Sequence, residues 1–386
     1  MGGRGQVNFI EHAGKAVLSA AGIPVPKGIL ADNPEAAAVA AGRIGPCVIK
    51  AQVPAGKRGK AGGIKLAATP DEAFAKTAEI LRLEIGGHAV TQVLVDPQIA
   101  IAHEFYAAVL NDPVTKGPLL LFSFDGGMDI EELAATRPES LIRIPVDIRK
   151  GIAATAIAGK LGPASPQRPV ADIADILAKL YAAYAAIDAE LLEINPLVLT
   201  KSGELLALDC KLTLDDGAIP RREVLAASGT PDKLTDLETQ AQALHLKFIE
   251  LDGNVGVLAN GAGLTMTTMD AISHFGGMPA NFLEIGGESY TKSKPALELV
   301  LANPNVKALL VNFCGAFART DVMAEGVINA WEQLKPKIPI IFTIHGTGED
   351  EAIAMVRTRL GIEPYDLMDD AVKAAVAAAK AAQVQA

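Results

Sequence analysis

The chain has 386 residues, half of them hydrophobic and 21% charged, with a net charge of −10. That length suffices for two or three domains with cores of their own, and the composition is globular rather than disordered. The acidic balance speaks against nucleic acid as a partner, and no apolar run is long enough to cross a bilayer, so no membrane partner is expected.

From the N-terminus, "EHAGKAVLSAAG" reads as a helix ended by Gly22, with no signal-peptide core. Cys47, Cys210 and Cys314 are odd in number and widely spaced. They fit reduced thiols in a cytoplasmic protein, not a disulfide framework or a zinc site. Up to about Asp216, strand-length runs bounded by Gly, Pro or Asp alternate with helical patterns: "CVIKAQV", "GIKLA", "VTQVLVD", "EFYAAVL", "PLLLFSF". This half therefore reads as α/β or α+β. A polar stretch carrying Gly and Pro, within 217–245, holds the expected domain boundary. The second half is expected to open with the strand "NVGVLAN", followed by the turn "GAG" and a helix. Further strands at "KALLVNF" and "IPIIFTI", each followed by a helix, make a parallel, doubly wound sheet. The Ala-rich "DDAVKAAVAAAKAAQ" is a structural helix.

Within the first half, "KAQVPAGKRGKAGGIKL" packs five cations and four glycines into a stretch without acids. It is neither a Walker A loop nor a dinucleotide fingerprint. A strand, a glycine-rich turn and a second strand form a hairpin lid. Such a lid lays Lys57, Arg58 and backbone N–H groups over phosphates, with Lys50 reaching them from the strand. The local sequence leaves these cations unpaired, and the competing reading is a solvated hairpin tip.

The segment "LLEINPLVLTKSGELLALDCKL" is a second hairpin, turning at Lys-Ser-Gly. With its centre near Ser202, Asn195 and Asp209 face one another, with Cβ atoms about 4.5–5.5 Å apart. Glu193 shares their face. An oxygen-only pair of this kind suits Mg²⁺, which takes few protein ligands and completes its shell with phosphate and water. The alternative is a polar solvent face.

These two segments, "GGMDIEELA" from Gly126, and "NVGVLANGAGLTMTTMDAISHFGGMPANFLEIGG" resemble, in order and spacing, the β subunit of succinyl-CoA synthetase. The similarity runs almost from end to end. It implies an ATP-grasp domain, residues 1–238, and a flavodoxin-like CoA-ligase domain with a parallel sheet, residues 239–386. In that family ATP phosphorylates a histidine of a partner α subunit. The phosphoryl group passes to a carboxylate, and CoA displaces it to give the thioester. By the resemblance, Lys50, Lys57, Arg58 and Gly59 hold the ATP phosphates. Asp96 stands where the family has a Glu near the nucleotide, with Glu104 eight residues on and Ile99 at the adenine hinge. Asn195 and Asp209 ligate Mg²⁺, and Glu193 orients the histidine. Asn260 contacts the substrate carboxylate, and the helix start at Gly261, Ala262 and Gly263 faces the phosphohistidine. A plain strand-turn-helix is the competing reading of that turn.

None of the six histidines has the glycine-rich phosphohistidine setting of the family, so an α subunit carrying that histidine and the CoA site is expected, in an αβ or α2β2 heteromer. Lys57 and Pro54 replace the usual Gly and His of the lid. The substrate loop, usually Gly-Gly-Ile-Val before Arg, reads Gly315-Ala316-Phe317-Ala318 before Arg319, and "TIHGTGED" replaces Arg-x-Glu-Gly-Thr-Asn. The resemblance implies a small dianionic acid, succinate-like, malate or sulfonated, and these changes rebuild the acid end, so an acid other than succinate is expected. An ATP-grasp ligase joining a carboxylate to an amine without CoA, and a non-catalytic nucleotide-binding regulator, are the competing functions.

Overall fold

Two large antiparallel sheets, and a ribbon of Glu84–Ile85 with His88–Ala89, carry the N-terminal part of the chain. The computed structural model describes residues 7–127, 130–165, 169–231, 234–285 and 292–384, and these divide into units Met1–Asp232 and Lys233–Ala386. The larger sheet of the first unit is ordered Ile142–Pro145, Gly117–Ser123, Ile101–Asp112, Ala189–Thr200, Lys211–Leu214, Val7–Asn8 and Thr230–Pro231. The short strand Leu205–Ala207 pairs with Ala189–Thr200 to make the second hairpin. Helix Val170–Ala186 buries Val170, Ile173, Ala174, Leu177, Leu180, Tyr181 and Tyr184, the stripe that an apolar face of period 3.6 produces. That stripe shares a core with Phe105, Phe122, Leu192 and Leu197 of the sheet.

The smaller sheet runs Ile29–Ala31, Val93–Pro97, Cys47–Ala51, Ile64–Ala67. Its last two strands are the arms of the glycine-rich lid, paired from Cys47↔Ala67 to Lys50↔Ile64. Helices Pro34–Ile44 and Pro70–Ile80 cover this sheet. Each begins with Pro in its first turn and is capped from the side chain of Asn33 or Thr69.

The second unit is a five-stranded sheet ordered Lys247–Glu250, Asn281–Glu284, Val255–Ala259, Ala308–Gly315, Ile340–Gly346. Every pairing is parallel except that of Lys247–Glu250, which lies antiparallel on the edge. Val255–Ala259 is buried throughout, as a strand covered on both faces must be. Separate cores lie on the two faces, one around Leu297, Val311 and Val327, the other around Ile272, Leu310 and Val376. The Ala-rich helix Met368–Val384 joins the second of these through Ala371, Val372, Ala375, Val376 and Ala379.

Two strands go beyond the sequence reading. "NVGVLAN" does not open the sheet; Lys247–Glu250 precedes it, and Asn281–Glu284 is a further strand. Both are four residues long with charged or polar ends, which hides them among loop residues. The expected division at 238/239 falls inside helix Asp236–Ala243, whose capping box on Thr235 and Glu238 starts an element of the second unit. Among the described residues no helix is long and apolar enough to cross a membrane.

Candidate nucleotide and acid sites

In the first unit the lid and the second hairpin line one cavity of about 410 Å³. Lys57, Arg58 and Gly59 come from the lid, and Glu193, Asn195 and Asp209 from the hairpin. The ladder pairs Leu197 with Ala207 and Glu193 with Lys211. The same register between those pairs sets Asn195 opposite Asp209. The Asn195 Oδ1 accepts from the Gly127 N–H at 3.1 Å. Gly127 has φ +70°, and a Cβ there would meet the Glu104 carboxylate, so glycine is required where the loop crosses this strand. Residues Met128 and Asp129 of the "GGMDIEELA" motif, and Gly286 and Gly287 of the later one, lie outside the described residues.

The lid cations are not unpaired, contrary to the reading of the local sequence. The Arg58 guanidinium donates to both Asp209 carboxylate oxygens, at 2.7 and 2.6 Å, and to the Ala51 carbonyl at 2.9 Å. The Lys50 ammonium lies 2.9 Å from both Glu11 Oε1 and Asp96 Oδ2, and donates to the Leu208 carbonyl at 2.7 Å. Lys57 is exposed, 3.6 Å from Glu131. The acids that meet the lid come from distant segments, so an acid-free local stretch says nothing about pairing. Burial would lower Lys50, but Glu11, Asp96 and Asp209 hold its ammonium above the ordinary range.

Asp96 is buried and turned onto Lys15 and Lys50, at 2.5 and 2.9 Å. With Lys50, Ile99 and Leu208 it borders a smaller cavity of about 220 Å³. Val48, Pro97 and Ile101 make that cavity mostly apolar. Glu104 lines neither cavity. Burial pushes the Glu193 carboxyl up, while the Tyr106 hydroxyl, donating to it at 3.0 Å, pulls the other way. Burial and the Glu11 charge likewise raise Asp209, against Arg58 and Lys50. Asn195 and Asp209 are both oxygen donors on one cavity wall, and among the described residues no group of three or more His, Cys, Asp or Glu forms a metal cluster. That donor set fits Mg²⁺ shared with phosphate oxygens.

In the second unit, helix Ala262–His274 starts from Gly261 at φ +85°, a conformation that favours glycine. The preceding Asn260 is engaged: its amide donates to the Cys314 carbonyl at 2.8 Å and accepts from the Cys314 N–H at 2.7 Å. It thereby ties the carboxyl ends of two parallel strands, the edge at which open α/β sheets bind ligands. Ala316, Phe317 and Ala318 follow in the loop leaving the second of them. Phe317 does not enter the core; its side chain is 105% exposed. Arg319 is paired with Asp321 at 2.9 Å through two nitrogens.

Sequence reasoning missed Glu11, Lys15 and Tyr106. Glu11, Gly14, Lys15 and Leu18 are the buried residues of the first helix. The signal was there: a glutamate and a lysine at the i, i+4 spacing on the core stripe of a helix.

A family model described as an ATP-grasp domain matches residues 8–199, and one described as CoA-ligase matches residues 258–381. The succinate–CoA ligase [ADP-forming] subunit beta of Ignicoccus hospitalis is 40% identical over 381 residues, covering 97% of this chain and all of the relative. That of Gemmatimonas aurantiaca is 41% identical over 374 residues, 96% of this chain and 98% of the relative. The [GDP-forming] subunit beta of Thermus thermophilus is 40% identical over 373 residues, again 96% and 98%. The solved ATP citrate lyase of Methanothrix soehngenii, in complex with citrate and coenzyme A, shares the fold. Its TM-score is 0.67 at 23% identity, covering 96% of this chain and 100% of that one. The chain belongs to the succinate–CoA ligase β-subunit family, with an ATP-grasp domain followed by a CoA-ligase domain.

Proposed function

We propose that this chain is the β subunit of an ADP-forming acid–CoA ligase, working in the cytoplasm with an α subunit that carries the phosphohistidine and the CoA site. The reading rests on one observation above all. The lid and the hairpin, 151 residues apart at Arg58 and Asp209, line a single cavity, to which the lid brings Lys57 and Arg58 and the hairpin brings the oxygens of Asn195 and Asp209. Asn195 and Asp209 would hold Mg²⁺ there, and the ion would supply charge neutralisation for the phosphates. Lys50, Lys57, Arg58 and the Gly59 backbone orient the phosphates, and Ile99 borders the base. Asp96 acts through Lys50, which it holds at 2.9 Å. Glu104 lies behind Gly127, outside the proposed contacts. Glu193 orients the incoming histidine of the α subunit.

The second unit supplies the acid site. The N–H groups at Gly261, Ala262 and Gly263 begin a helix of 13 residues, a setting that favours an anion such as the phosphohistidine. Asn260 holds the strand ends to which the loop Ala316-Phe317-Ala318 is attached, and its remaining amide hydrogen serves the acid carboxylate. The CoA-ligase match over residues 258–381 disfavours a carboxylate–amine ligase. The heteromer is αβ or α2β2.

Purified alone, the chain binds Mg·ATP by calorimetry but forms no acyl-CoA from ATP, acid and CoA; adding the α subunit restores thioester formation. Robust synthesis by the chain alone would overturn the reading.

The exposed Phe317 reshapes the acid pocket, so succinate is a poor substrate beside malate or a sulfonated acid. In the double variant Phe317→Ile/Ala318→Val, the kcat/KM preference shifts toward succinate by about 10–200-fold, the range for pocket contacts of this size. A wild type that strongly prefers succinate, with no change in the variant, contradicts it.

A further inference from the structure

We propose that Glu11 is a positioning residue of the nucleotide site, its buried carboxylate holding Lys50 and Arg58 at the spacing that a phosphate chain requires. The inference rests on the nucleotide reading given above.

Glu11 opens the helix Glu11–Ala20, and its side chain is fully buried. One oxygen, Oε1, meets Lys50 at 2.9 Å and Lys15 at 2.6 Å; the other, Oε2, lies 2.9 Å from the Arg58 guanidinium. The two lid cations are therefore set by the two oxygens of one rigid group. Lys50 stands on a strand of the lid, and Arg58 lies in its turn. Asp96 also holds Lys50 and Asp209 also holds Arg58, but Glu11 meets both cations at once. Glu11 also borders the larger cavity.

Stability does not call for this arrangement. Burying a carboxylate is costly, and well-packed apolar residues serve a helix face at least as well. The surrounding charges are matched for a purpose: Lys15, Lys50 and Arg58 against Glu11, Asp96 and Asp209. Burial alone would raise the Glu11 carboxyl. Lys50, then Lys15 and Arg58, overcome that and hold it well below the usual carboxylate range. Lys15 completes the set by bridging Glu11 and Asp96. When the Asp209 oxygens turn to a cation, Glu11 is the carboxylate that still fixes Arg58.

The test uses the full chain with Mg·ATP, read by calorimetry, and the αβ enzyme for kinetics. Glu11→Gln weakens Mg·ATP binding by about 10–100-fold, the range for losing a partner that orients a ligating side chain. In the enzyme, KM for the nucleotide rises while KM for the acid and CoA stays put, a split that a merely structural role would not produce. Because Glu11→Gln leaves three cations against two anions, Glu11→Gln/Lys15→Met restores the balance, and it too binds weakly. Glu11→Asp keeps the charge but withdraws the carboxylate by one methylene, and weakens binding to a smaller degree. Wild-type affinity in the folded double variant or in Glu11→Asp overturns the role of Glu11. Absence of Mg·ATP binding by the wild type overturns the nucleotide reading itself.

Discussion

Asp209→Ala lowers kcat/KM for the nucleotide by about 10³-fold or more in a chain that still folds but melts below the wild type, since Arg58 loses its bidentate partner. The size follows from what the residue does. Charge stabilisation by a bound Mg²⁺ is worth several kcal/mol in phosphoryl transfer, and about 1.4 kcal/mol is tenfold in rate. Asp209 is one of two protein oxygens facing that position, and Asn195 alone carries no charge. The fold survives because Arg58 keeps Glu11 Oε2 and the Ala51 carbonyl as partners. The same variant loses the Mg²⁺ dependence of ATP binding, read by titrating ATP with and without the metal. Full activity at saturating Mg²⁺ would show that the hairpin does not hold the metal.

Glu193→Gln separates binding from transfer. Phosphorylation of the α subunit slows by about 10²–10⁴-fold, as expected when a group that handles or orients a proton at the reacting centre is lost. Mg·ATP affinity stays within about twofold, since orienting the histidine leaves ground-state binding untouched. The geometry favours a clean effect: Tyr106 donates to Glu193 at 3.0 Å and can donate equally to the amide oxygen of Gln. Rapid-quench phosphorylation with labelled ATP measures the rate. An unchanged rate, or an affinity lost in step with it, would remove Glu193 from the role assigned.

The second hairpin was readable because strand geometry is arithmetic. Once the turn lies near Ser202, alternation puts Asn195 opposite Asp209 and Glu193 on the same face, and the ladder on either side has that register. The lid was readable as a hairpin for the same reason, from its glycines and flanking apolar runs. Its electrostatics were not. Lys50 meets Glu11 across 39 residues and Arg58 meets Asp209 across 151, and no local pattern encodes such distances. Glu11 and Lys15 were legible only as an oddity, two charges on a helix's core stripe. Asp96 illustrates the limit of spacing: a place in a motif does not say where the side chain turns, and this one turns onto Lys15 and Lys50. In the second unit, periodicity found the long buried strands and passed over Lys247–Glu250 and Asn281–Glu284, which are too short to show a period. The Asn260 clasp on Cys314 joins residues 54 apart and needed the sheet order to be seen.

A phosphoryl donor presented to a histidine of another chain leaves its signature in where the label ends up. Labelled [γ-³²P]ATP with Mg²⁺ is incubated with this chain, with the α subunit, and with the two together, and the products are separated under conditions that preserve phosphohistidine. Label appears on the α subunit only when both chains are present, and is discharged on adding acid and CoA. Label on this chain, or on the α subunit alone at the same rate, would contradict transfer between the chains.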